Sequence, residues 1–172
     1  EAVAKTSFDG GYGHVCCIGW AWNDEEVKTV TLGWQGVTER ELLQGLASTT
    51  RRSNEQPVIV GHYVADFDLR FLWQRAFVLG VKMPAWWPRD PKPWSKEVHD
   101  TMQMWAGAKG TVSLDRLCFY LGIHGKGDID GSMVAGMFER AEYGAISDYC
   151  ADDVERVRQA HRRMLVAYGE QE

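Results

Sequence analysis

The chain has 172 residues, 45% hydrophobic and 25% charged, with a formal net charge of −5. That balance fits one soluble globular domain with a real core and excludes a low-complexity or disordered chain. It also argues against a tight, stationary binder of nucleic acid, because phosphate neutralisation needs a basic surface. No apolar run approaches the ~18 residues of a membrane span, and no basic stretch followed by an apolar one marks a secretory signal, so a cytoplasmic location is expected. The four cysteines, Cys16, Cys17, Cys118 and Cys150, lack C-x-x-C spacing and read as buried free thiols.

In chain order, residues 1–13 are irregular and end in Gly10-Gly11-Tyr12-Gly13. His14 to Trp22 is rich in β-branched residues, Cys and aromatics and predicts a buried strand. A polar turn, Asn23-Asp24-Glu25-Glu26, leads to a returning strand from Val27 to Trp34, making a hairpin. Thr38 can cap a helix through Ser48, with Glu39 and Glu41 favoured in its first turn by the helix dipole. Pro57 to His62 predicts a short internal strand, followed by a helix from about Phe67 to Leu79 that Gly80 stops.

Residues 84–94 hold Pro84, Pro88, Pro91 and Pro93 with Trp86, Trp87 and Trp94, and predict a loop. Its tryptophans can form a satellite core beneath the loop. Val98 to Met104 predicts a strand or its end. Ser113 caps a helix from Leu114 to Leu121, closed by Gly122. Gly125 to Gly131 is a polar loop, a short helix follows Ser132, and a long amphipathic helix spans about Ala145 to Tyr168. Strands first, then strands alternating with helices, imply a mixed α/β sheet.

Two segments carry candidate chemistry. In Gly61-His62-Tyr63-Val64-Ala65-Asp66-Phe67-Asp68 a strand ends, the chain turns, and an acidic residue opens a helix. Asp68 then stands at the carboxyl edge of the sheet, where open α/β folds place their sites. Helix capping by Asp66 or Asp68 accounts for the same residues. In Tyr149-Cys150-Ala151-Asp152-Asp153, Tyr149 and Asp153 share a helix face with Ile146, Cys150 and Val157, while Asp152 faces water. A carboxylate on an apolar face needs a metal or a basic partner, and Arg70 or Arg75 would serve as the latter. Carboxylate oxygens suit hard Mg²⁺ or Mn²⁺ rather than softer metals.

The tract from Val60 to Leu72 resembles the second motif of the DEDD exonuclease superfamily, and Tyr149-x-x-x-Asp153 resembles the third motif in its tyrosine variant, DEDDy. The spacing and flanks are most similar to predicted 3′→5′ exonucleases related to the proofreading domain of family B DNA polymerases. Lys5-Thr6-Ser7-Phe8-Asp9-Gly10, Asp100-Thr101-Met102, Ser113 to Cys118 and Gly125 to Ser132 extend the likeness over nearly the whole chain.

The resemblance implies an RNase H-like mixed β-sheet flanked by helices, spanning residues 1–172 as a single exonuclease domain. It implies a two-metal mechanism with Mg²⁺ or Mn²⁺, acting on the 3′ end of DNA. Asp68 and Asp153 would be metal ligands, and Tyr149 would position the attacking water. His62, Tyr63, Phe67 and Lys126 are candidate substrate contacts, although a loop lysine is also simply solvated and His62 also packs beside the strand end. Asp100 and Asp115 read as structural, one a hydrogen-bonder at a strand end and the other a first-turn helix residue. A non-catalytic nucleic-acid-binding module and an exoribonuclease use the same fold.

Two departures stand out. The family opens with a strand ending Asp-x-Glu, and no such motif closes an apolar run near Glu1, so that first, central strand and its two carboxylates are expected to lie outside this sequence. Tyr63 stands where many relatives carry Asn.

Overall fold

The computed structural model describes residues 8–49, 57–124 and 127–170. The predicted hairpin forms: β1 (Cys17–Trp20) pairs antiparallel with β2 (Lys28–Thr31), Cys17 opposite Thr31 and Trp20 opposite Lys28. Helix α1 (Glu39–Thr49) opens with a reciprocal cap. The Thr38 N–H donates to Glu41 Oε2 at 2.9 Å, and the Glu41 N–H donates to Thr38 Oγ1 at 3.3 Å. Its apolar side, Leu42, Leu43 and Leu46, is buried.

Strand β3 (Ile59–Gly61) pairs in parallel with β4 (Val98–Asp100), Gly61 opposite Asp100. A parallel pair needs a long crossover. Here it is a π-helical turn (Val64–Asp68), α2 (Leu69–Leu79) and the proline-rich loop. Gly80, at φ 61°, ends α2 as the sequence predicts. The main core joins Leu43, Val64, Leu69, Ala76 and Val98 with Trp87 from the loop. Trp86 packs on the same cluster, so these two tryptophans are core residues, whereas Trp94 is 80% exposed.

Val98 to Met104 is not one strand. It stops at Asp100, whose extended backbone and side chain cap α3 (Thr101–Ala106). After α4 (Leu114–Leu121), capped by Ser113 and closed by Gly122, a 3₁₀ turn (Gly131–Met133) leads into α5 (Val134–Glu139). The long helix α6 (Tyr143–Tyr168) packs against β1, β2, β3 and α4. Its approach to β1 is close: a Cβ at Gly19 would sit 2.8 Å from Cys150 Sγ and 3.0 Å from Val154 Cγ2. Glycine at that strand position is what lets the Tyr149–Asp153 segment dock on the hairpin.

The fold is mixed α/β, but the described strands make two separate two-stranded sheets rather than one mixed sheet. No helix of the described residues is long and apolar enough to cross a membrane.

Candidate active site

The site begins where β3 ends. At Gly61 the chain turns so tightly that a Cβ would lie 2.4 Å from Val64 Cβ, which glycine alone avoids. Tyr63 then adopts left-handed backbone, φ 58° and ψ 21°, a conformation bulky residues rarely enter. Asp100, on the neighbouring strand, holds it there. Asp100 Oδ1 accepts the N–H groups of Tyr63 at 2.9 Å, Met102 at 3.0 Å and Gln103 at 3.5 Å, and Oδ2 accepts that of Ala65 at 3.0 Å. One carboxylate that is 4% exposed therefore fixes both the turn after β3 and the start of α3. This is the structural role its sequence position implied.

The turn delivers Asp68 to the carboxyl end of the parallel pair, through a π-helical segment of the kind that recurs at functional sites. Asp68 caps no helix: its side chain makes no capping bond. Asp66 is exposed and accepts from Gln103 Nε2 at 3.2 Å. Surrounding protein pushes the Asp68 carboxyl up to about 7; a hydrogen bond from its own backbone opposes this, and the Asp100 charge pushes it further. The same residue is open to solvent. A strongly raised carboxyl of this kind marks a candidate functional position.

His62 directly follows β3 within the first motif segment. Its Nε2 faces the Val112 carbonyl at 2.9 Å and therefore carries the proton, while Nδ1 lies 2.9 Å from Thr101 Oγ1. Both ring nitrogens are engaged, so His62 ties β3 to α3 and to the approach of α4. Burial lowers its pKa, against the hydrogen bond to Val112 and the charges of Asp100 and Asp153, with Arg156 adding to the lowering. The same field links the segments: Asp153 reaches His62, and Asp68 reaches Asp100.

On α6, Tyr149 is half-buried with its hydroxyl toward Gly131, where a Cβ would lie 3.9 Å away. Asp153 is half-buried and Asp152 is exposed, as their places on the helix predict. The basic partner of Asp153 is neither Arg70 nor Arg75. Arg156, three residues on and 3% exposed, donates from Nη1 to Asp153 Oδ1 at 2.9 Å and from Nη2 to Asp115 Oδ1 at 2.5 Å. Arg75 is instead held by Glu39, through Nε at 2.8 Å and Nη2 at 2.7 Å.

Beside Asp68 the Tyr63 ring lies stacked with Phe67 at 6.1 Å and 6°, and Phe67 packs on Phe71 and Phe8 at 5.9 Å. Both outer members of this row are exposed, Tyr63 at 43% and Phe8 at 76%. Lys126 lies outside the described residues.

Among the described residues no group of three or more His, Cys, Asp or Glu side chains is placed to hold a metal ion. Two hard carboxylates nevertheless suit Mg²⁺, which is commonly held by one or two carboxylates together with waters and substrate phosphates. The carboxylate oxygens of Asp68 and Asp153 are of the chemical type such an ion takes.

Residues 12–159 match a family described as predicted 3′–5′ exonucleases related to the exonuclease domain of PolB. The chain belongs to this family. No curated protein matches it. The match runs from the turn before β1 into the second half of α6, so both motif segments of this exonuclease-family chain fall inside it. Arg156 also falls inside it. Its only trace in the sequence is the i, i+3 spacing from Asp153, which the exposed Asp-Arg pairs of many helices share.

Proposed function

We propose that the protein removes nucleotides from the 3′ end of DNA with the help of two Mg²⁺ or Mn²⁺ ions. The observation that carries this reading is Asp68, a reachable carboxyl raised to about 7 at the end of a parallel strand, within a chain of the exonuclease family. Asp68 and Asp153 would hold the ions, which when bound supply Lewis-acid polarisation of the phosphate and a hydroxide at neutral pH. The remaining roles belong to the chain itself. The Tyr149 hydroxyl, one helical turn before Asp153, orients the attacking water by hydrogen bonding. The Tyr63–Phe67 stack offers a flat apolar face to the terminal base, and such stacks are worth ~1–3 kcal/mol per base. His62 supports the turn after β3, its two nitrogens being engaged within the chain.

A 5′-labelled single strand incubated with Mg²⁺ or Mn²⁺ tests the reading: a ladder shortening from the 3′ end is expected, with matched RNA cleaved more slowly. A second reading is a non-catalytic nucleic-acid-binding module, and the limited carboxylate set of the described residues favours it. Strand binding with no shortening under either ion would select that reading.

A further inference from the structure

Arg156 is a buried cation on the motif helix itself, 3% exposed, and the residue pattern gives it no role. Its guanidinium reaches in two directions. Nη1 takes one oxygen of Asp153 on α6 at 2.9 Å, and Nη2 takes one oxygen of Asp115, in the first turn of α4, at 2.5 Å. Its Nε is buried without a hydrogen-bond partner among the described residues. The side chain is 3% exposed, whereas Asp115 is 55% exposed at its side chain and Asp153 33%. This is not a fork-to-fork ion pair, in which both Nη groups would close on one carboxylate. The guanidinium is divided, so Asp153 is steadied through one oxygen while Asp115 fixes the arginine from the far side.

A divided arginine differs from a stability device. Removing two charges from water to form one such pair is roughly neutral against an apolar replacement of the same shape. What it does supply is orientation. Asp153 sits on a helix whose rigid docking on β1 sets its Cα, but two side-chain torsions remain to be fixed. Ligating carboxylates are generally held by hydrogen bonds behind them, and loss of those partners typically costs about 10–100-fold in metal affinity or activity.

The geometry points to Arg156 as a positioning residue that sets the Asp153 carboxylate for a divalent cation, with Asp115 as its anchor. This rests on the metal role proposed above for Asp153. Arg156 touches neither substrate nor cation. It acts through Asp153, and α4 thereby becomes part of the support of the site.

The test measures Mn²⁺ binding directly by isothermal titration, together with the Mn²⁺ concentration that gives half-maximal cleavage. Wild type, Arg156→Lys, Arg156→Ala, Asp115→Asn and Asp153→Asn are compared in the whole protein. Arg156→Ala is expected to weaken Mn²⁺ binding at least about tenfold. Arg156→Lys should recover part of that loss, and Asp115→Asn should shift binding in the same direction by less. Cleavage by Arg156→Lys should return toward wild type at saturating Mn²⁺. Asp115 is half exposed and its variant keeps the buried arginine, so it reports even if Arg156→Ala fails to fold.

An unchanged Mn²⁺ midpoint in both Arg156→Lys and Asp115→Asn, whether or not their unfolding temperatures fall, overturns the positioning role. Tighter Mn²⁺ binding in either also overturns it, because the arginine would then be a competitor for Asp153. If Asp153→Asn binds Mn²⁺ and cleaves like wild type, the metal role itself fails, a result distinct from the first two.

Discussion

Asp100 Oδ1 accepts the backbone N–H of Tyr63 at 2.9 Å and so holds a tyrosine at φ 58°, a backbone region its side chain disfavours. The same carboxylate caps α3, which places one buried acid under both the candidate site and the element beside it. Asp100→Ala should therefore cost roughly 3 kcal/mol or more, since charge-assisted bonds are worth about 1.5–3 kcal/mol each and several N–H groups lose their acceptor together. Urea unfolding measures this, and a loss below about 1 kcal/mol would contradict the role given to Asp100.

Asn tolerates left-handed backbone far better than Tyr, by up to about 1–2 kcal/mol. Tyr63→Asn gives up the stack on Phe67, worth about 0.5–1.5 kcal/mol. The two effects nearly cancel, so stability should change by less than about 1 kcal/mol while the substrate loses its stacking face. An approximately tenfold rise in KM with stability unchanged is expected. A KM equal to wild type would show that the exposed ring does not contact the substrate.

Metal binding at Asp68 should depend on pH near neutrality. The raised carboxyl keeps its proton up to about 7, and a cation must displace that proton. Below about 7 the Mn²⁺ affinity should fall close to tenfold per pH unit, and above it the affinity should level off. Calorimetry in buffers of different ionisation enthalpy should register proton release on binding at pH about 6.5, and none in Asp68→Asn. Affinity independent of pH across this range would contradict the account of Asp68.

His161 gives the fold an acid-labile point away from the site. Its Nε2 lies 2.9 Å from His99 Nδ1, and it is 9% exposed. Burial, then the charges of His99 and Arg162, lower its pKa from 6.5 to about 4. The neutral form is the one the fold favours, so this contribution is present above 6.5 and is lost as pH falls toward 4. The loss is at most about 1.4 kcal/mol per pH unit. His161→Gln should flatten the fall of unfolding free energy with pH in that window. An unchanged slope would show that other groups carry the acid sensitivity.

Much of the local structure was legible because its signals are local. Thr38 and Glu41 cap α1 across three residues, and Gly80 and Gly122 end their helices through left-handed backbone. The hairpin follows from alternation around a polar turn. Features set by partners far away in sequence were not legible. Glu39 reads as a first-turn acid, yet it is buried and held by Arg75 in a bidentate pair, with Val15 N–H added at 2.8 Å. Nothing in its neighbourhood names a partner 36 residues away. Asp153 was given the wrong arginine for the same reason: a charge on an inward face predicts a partner without choosing it. Val98 to Met104 reads as a strand or its end because its apolar residues suit either state, and the cap that starts the helix at Thr101 depends on where Asp100 points. A single mixed sheet is expected from the order of strands and helices, whereas the described strands form two separate pairs, and which strands join cannot be read from strand patterns alone.

The central claim is that Asp68 and Asp153 serve one cation-dependent cleavage. It is tested most directly by the release of mononucleotides from a 5′-labelled DNA strand with Mn²⁺, comparing wild type with Asp68→Ala and Asp153→Ala at matched folded fraction. Wild type should shorten the strand from its 3′ end, and each variant should be slower by more than about 10²-fold. Cleavage by Asp153→Ala at the wild-type rate would contradict the account.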